Sequence, residues 1–131
     1  MNKASVGILV CKNTDRFLLL LRPKDDKTIR DKWTFVAGTI DKGEDPLDTI
    51  KREVEEELKF NSSDIEFEYI GKVKDKNIDL YYFIGLMENE DEPTLNGENV
   101  DWNWFSLDSL PDNTFSKCRK MLNTLYQNGR N

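Results

Sequence analysis

The chain has 131 residues, 34% of them charged and 37% hydrophobic, with a net charge of −6 and no histidine. This length supplies one domain (1–131) with a real core but not two, and the balance is that of a soluble globular protein, which sets aside disorder and membrane classes. The missing histidine removes Ser-His-Asp and Cys-His catalysis together with His-ligated zinc, and the acidic balance disfavours long nucleic acid as a partner.

Residues 5–11 and 17–22 are rich in aliphatic side chains and flank Asn13-Thr14-Asp15, which predicts a β-hairpin. After the polar segment 23–32 a third strand is expected over 33–40, broken in character at Ala37-Gly38. Asp45 followed by Pro46 is a strong helix start, because Asp caps free backbone N–H groups and proline at the first helical position has none to satisfy. The helix should run over 46–58, with Leu47, Ile50, Val54 and Leu58 forming its apolar stripe. Alternation over 64–74 and 77–87 predicts a second hairpin turning at Asp75-Lys76-Asn77, with Ile78, Leu80, Tyr82, Ile84 and Leu86 on one face. A late strand over 100–106 carries Trp102 and Trp104 on one face, and Phe115, Cys118, Met121, Leu122 and Leu125 predict a closing helix over 114–126. Strands, helix, strands, helix is an α+β or sandwich order. Cys11 and Cys118 lie far apart with no CxxC partner, which fits a reducing, cytoplasmic location.

On the first helix Glu53, Glu56 and Glu57 fall within an arc of about 100°, beside the apolar stripe. A run such as Arg52-Glu53-Val54-Glu55-Glu56-Glu57 is more often only a solvated face. Carboxylates gathered at the edge of a core, however, repel one another unless a cation neutralises them, and Mg²⁺ is the hard ion suited to oxygen ligands.

The segment from Gly38 through Glu44 to Phe60 resembles the Nudix box, Gx5Ex7REUxEExGU, with Gly38, Glu44, Arg52, Glu53, Val54, Glu56, Glu57 and Phe60 at the expected offsets. Lys59 stands where the box has its second glycine. Residues 18–22, 33–38 and 104–111 extend the resemblance through most of the chain. It implies a Nudix fold, an α/β/α sandwich around a mixed β-sheet. It also implies metal ligands at Glu53, Glu56 and Glu57 with a backbone carbonyl near Ala37-Gly38, for Mg²⁺ or Mn²⁺, while Glu44 and Arg52 pair to fix the loop. Glu98 sits where relatives often carry a further ligand or base, and an exposed loop acid is an equally good reading of it. Glu53, Glu56 and Glu98 are all candidates for the base, and Glu53 is favoured over Glu56. Arg22 and Lys24 are candidates for phosphate contacts, and Phe35, Trp102 and Trp104 for stacking on a base, with core packing the better reading for at least one tryptophan.

The reaction implied is attack of water on phosphorus in a nucleoside diphosphate linked to another group. Markers of ADP-ribose, dinucleoside polyphosphate and coenzyme A hydrolases are absent or displaced, which leaves a (deoxy)nucleoside triphosphate cut to monophosphate and pyrophosphate, by a monomer or homodimer. The alternatives are a dinucleoside polyphosphate, an RNA 5′ end, or a nucleotide-binding module without catalysis.

Overall fold

A computed structural model describes residues 2–129, so the ends of the expected domain lie outside the described residues. The strands are β1 (Asn2–Cys11), β2 (Phe17–Leu21), β3 (Trp33–Thr34), β4 (Val36–Thr39), β5 (Glu66–Asp75), β6 (Ile78–Met87) and β7 (Asp101–Phe105). The helices are α1 (Pro46–Leu58) and α2 (Ser116–Gly129).

Side chains alternate across a strand, and here both alternating sets are apolar. Leu9 and Cys11 of β1, Leu18 and Leu20 of β2 and Phe83 of β6 join Ile50, Val54 and Leu58 of α1 in one buried cluster. Val6 and Ile8, Phe17 and Leu19, and Tyr82 join Cys118 and Leu122 of α2 in the other. One helix therefore covers each face, giving the α/β/α sandwich. The sheet is mixed, because β1 and β6 run parallel from Asn2↔Ile78 to Cys11↔Met87 while the other pairings between the described strands are antiparallel. Among the described residues no helix is long and apolar enough to cross a membrane.

The other edge of β1 is shared between two partners, and this division makes the site. Near its end β1 meets β2 at Val10↔Phe17. Earlier it pairs with β4, from Ala4↔Thr39 to Gly7↔Val36. The strands of the first hairpin thus diverge, and β2 pairs instead with β7 and with β3. The expected single strand over 33–40 is two strands, and its break falls at Phe35 rather than at Ala37-Gly38. The chain crosses there from the edge of β2 to that of β1. Phe35 leaves the ladder and buries its ring in the α2-side cluster, whereas Gly38 stays in register opposite Ser5. The closing helix begins at Ser116, since Phe115 still donates its N–H to Trp33 O at 2.9 Å.

Candidate metal and phosphate site

The loop between β4 and α1 is tied to the helix by one guanidinium. Arg52 donates from Nε to Glu44 Oε2 at 2.8 Å and from Nη2 to Glu44 Oε1 at 2.9 Å, a bidentate pair. Glu44 Oε1 also accepts from Thr49 Oγ1 at 2.7 Å and from Asp41 N at 3.1 Å. Arg52 first, then Thr49, hold the Glu44 carboxyl down at about 2. The remaining Arg52 donors reach Thr39 O at 3.2 Å, Glu53 Oε1 at 2.8 Å and Glu56 Oε2 at 3.2 Å.

Glu53, Glu56 and Glu57 differ sharply in surroundings although one helix carries all three. Glu56 is the exposed member, at 53% for its side chain, while that of Glu53 is 13% exposed. Glu53 lies against Gly38, where an added Cβ would fall 2.6 Å from Glu53 Oε1 and closer still to Cγ and Cδ. Glycine there lets the acid approach β4. Glu57 is buried at 5% exposure. Burial first, then the neighbouring Glu53 carboxylate and that of Glu98, push its carboxyl up to about 9, against a smaller opposing pull from Arg22.

Glu57 Oε1 accepts from Asn99 Nδ2 at 3.3 Å, but among the described residues Glu57 Oε2 has no partner. An unsatisfied buried acceptor costs roughly 1–3 kcal/mol, so a ligand is the natural counterpart of this atom. Among the described residues no three acidic or thiol side chains form a ready-made metal cage. The donor chemistry still fits a hard divalent cation that keeps waters of its own: carboxylate oxygens, one of them buried and unpaired, set beside the backbone of Gly38.

Beside these acids, a cleft of about 470 Å³ is lined by Arg22, Pro23, Asp25, Asp26, Lys27, Gly97 and Glu98. Arg22 stands 3.6 Å from Asp26, whose other oxygen accepts from Ile29 N and Thr28 N.

A model of the NUDIX domain family matches residues 1–125. The chain belongs to the NUDIX domain family. As a Nudix-type pyrophosphohydrolase it is an enzyme acting on phosphoanhydrides. It is 29% identical over 133 residues to the dihydroneopterin triphosphate diphosphatase of Haemophilus influenzae, covering 88% of this chain and 81% of that one. The E. coli dihydroneopterin triphosphate pyrophosphohydrolase superposes with a TM-score of 0.75 at 18% identity, covering 96% of this chain and 95% of that one. A C. elegans Ap4A hydrolase gives 0.74 at 20%, covering 95% and 96%.

Within this Nudix domain several residues singled out from sequence fall away from the cleft. Lys24 is exposed and outside its lining, and Lys27 stands there instead. The turn closed by Asp26 N and Asp31 N, both donating to Pro23 O, redirects the chain between them. Phe35 and Trp104 are corrected from base-stacking to core residues. At 4% and 3% exposure neither offers a ring face, and Trp104 Nε1 donates to Asp91 O at 3.1 Å. Trp102 is half-buried against the α1-side cluster. Sequence reasoning misses Asn99, because an uncharged residue next to Glu98 gives no signal until its burial against Glu57 is seen.

Proposed function

We propose that this Nudix enzyme hydrolyses, with Mg²⁺, a compact triphosphate ester to the monophosphate and pyrophosphate, the ester being that of a nucleoside or of a nucleoside-like alcohol such as dihydroneopterin. The observation that carries the proposal is the buried, unpaired Oε2 of Glu57, beside Glu53 and within electrostatic reach of Glu98 and Arg22, which line the cleft together with Lys27. Likeness to the H. influenzae diphosphatase supports the triphosphate class.

Glu53, Glu56 and Glu57, with the Gly38 carbonyl and Glu98, would hold the metal. When bound, that ion neutralises phosphate charge and makes an attacking water more acidic. The chain supplies the rest. Glu53, fixed between Gly38 and Arg52, accepts the proton as the water oxygen bonds to phosphorus. The bridging P–O bond breaks and pyrophosphate leaves with the electron pair. Arg22 and Lys27 balance charge on the departing phosphates, which a point charge and a guanidinium can do without fixing the identity of the base. Keeping all three box acids favours catalysis over a binding-only module.

The test is phosphate and pyrophosphate release from (deoxy)nucleoside triphosphates, oxidised triphosphates, dihydroneopterin triphosphate, ADP-ribose, diadenosine polyphosphates and 5′-triphosphate RNA, with Mg²⁺ and with EDTA. Metal-dependent pyrophosphate release from a small triphosphate is expected. Preferential turnover of the dinucleotides or RNA would replace the substrate assignment, and no turnover by folded protein would defeat it.

A further inference from the structure

Among the described residues three buried side-chain atoms lack a hydrogen-bond partner: Thr34 Oγ1, Glu57 Oε2 and Asn99 Oδ1. Two of the three sit on one hydrogen-bonded pair, since Asn99 Nδ2 donates to Glu57 Oε1. Both side chains are more than nine-tenths buried, at 4% exposure for Asn99 and 5% for Glu57. Buried polar atoms are nearly always satisfied, so paired orphans call for a common partner. With Glu57 ionised, as a metal ligand must be, both orphans are acceptors, because the amide must turn its NH₂ toward the carboxylate and its oxygen away. A hard cation meets the first of them, and the hydrogens of its bound water meet the second.

The backbone separates Asn99 from its neighbour Glu98. Val100 N donates to Leu21 O at 2.9 Å, which pins the chain just after Asn99 to the end of β2. Glu98 belongs instead to an exposed loop where Gly97 adopts a φ of +102°. The anchored residue, and not the exposed acid, is the one built to hold a geometry.

We propose that Asn99 is a positioning residue of the metal site: its amide NH₂ orients the Glu57 carboxylate with Oε2 toward the ion, and its Oδ1 accepts from a water on that ion. This rests on the proposed function, in which Glu57 is a metal ligand.

The test is Mn²⁺ binding to nucleotide-free protein, read by the electron paramagnetic resonance of free Mn²⁺, for the wild type and Asn99→Ala, with thermal melting of both. Loss of an outer-shell partner of this kind weakens metal affinity by about 10–100-fold, and that loss is expected here, with the KM for nucleotide at saturating metal unchanged. Equal Mn²⁺ affinity in the two proteins would overturn the inference, whether or not the variant melts earlier. If the wild type itself binds no Mn²⁺, the metal reading fails first and takes this with it. Should Asn99→Ala not fold, the wild type decides: in ¹⁵N-labelled protein the Asn99 side-chain amide signals must shift on Mg²⁺ titration, and unmoved signals alongside other shifting resonances would sink the idea.

Discussion

Gly38 has no room for a side chain because Glu53 occupies the space. A methyl group there must displace the acid from β4, and displacement of about 1 Å can cost on the order of 100-fold in rate. Gly38→Ala is therefore expected to lose turnover on that scale while melting close to the wild type, in steady-state assays beside a thermal scan. Unchanged turnover would show that Glu53 has no need of that position. Glu57 presents the complementary case, a residue that should cost stability in return for function. Its carboxyl lies near 9 in the folded chain against 4.5 for the free side chain. Between those values the native state holds a proton that the unfolded state gives up, so stability present below pH 4.5 is lost as pH rises toward 9. Glu57→Gln should abolish most turnover, fold normally, and in EDTA remove that decline, so that it melts at or above the wild type near pH 8. A variant that turns over normally at saturating Mg²⁺ would remove Glu57 from the metal site, and one whose EDTA melting curve still falls with pH as the wild type's does would show that another group titrates there.

At the scale of elements, α1 is nearly self-explanatory. Asp45 accepts from Asp48 N at 2.9 Å, Pro46 opens the helix, and the apolar stripe is buried. Its end is less expected. Lys59 takes the left-handed conformation of the missing glycine, at φ 61°, while its N–H donates to Glu55 O and its Nζ to Glu56 O. The turn is thus made at a conformational cost that glycine would avoid, partly offset by the extra freedom glycine has when unfolded. Lys59→Gly should stabilise the protein by about 0.5–1 kcal/mol in urea titration with turnover unchanged, and destabilisation would mean that the Lys59 side chain, not the turn, matters there. The legibility of the rest follows the same divide between local and distant causes. Helical periodicity, a cap and the spacing of Glu44, Arg52, Glu53, Glu56 and Glu57 are written within a few turns of chain, and they bring those side chains together in the fold. The break at Phe35 depends on which strand each half pairs with, which no local pattern encodes. Phe35 and Trp104 have the right ring chemistry for stacking, but the break between β3 and β4 turns Phe35 inward and the alternation of β7 does so for Trp104. Lys27 and Asn99 reach the site through turns and through a contact 42 residues away in sequence, and so could not be read ahead of the structure.

At the scale of the whole molecule the net charge of −6 opposes the approach of any polyphosphate. In the proposed function the remedy is local: Arg22 and Lys27 stand at the cleft among Asp25, Asp26 and Glu98, and a divalent cation held by the box acids would supply the remaining positive charge. Long-range repulsion is screened by salt within about 10 Å at 0.1 M, whereas contacts inside the cleft are screened much less. The two contributions therefore separate with ionic strength. For a small triphosphate at saturating Mg²⁺, kcat/KM should stay level or rise as monovalent salt increases from about 0.05 to 0.2 M, because screening lifts the repulsion while the local contacts persist. An enzyme that grips a long nucleic-acid backbone behaves in the opposite way, losing about 10³–10⁵ in affinity over that range when it makes many phosphate contacts. Measuring kcat/KM across that salt series for a triphosphate and for 5′-triphosphate RNA tests the charge argument directly. A steep fall with salt for the RNA, accompanied by efficient turnover, would reveal a basic track that the acidic balance of the chain argues against, and would move the substrate from a free triphosphate to an RNA end.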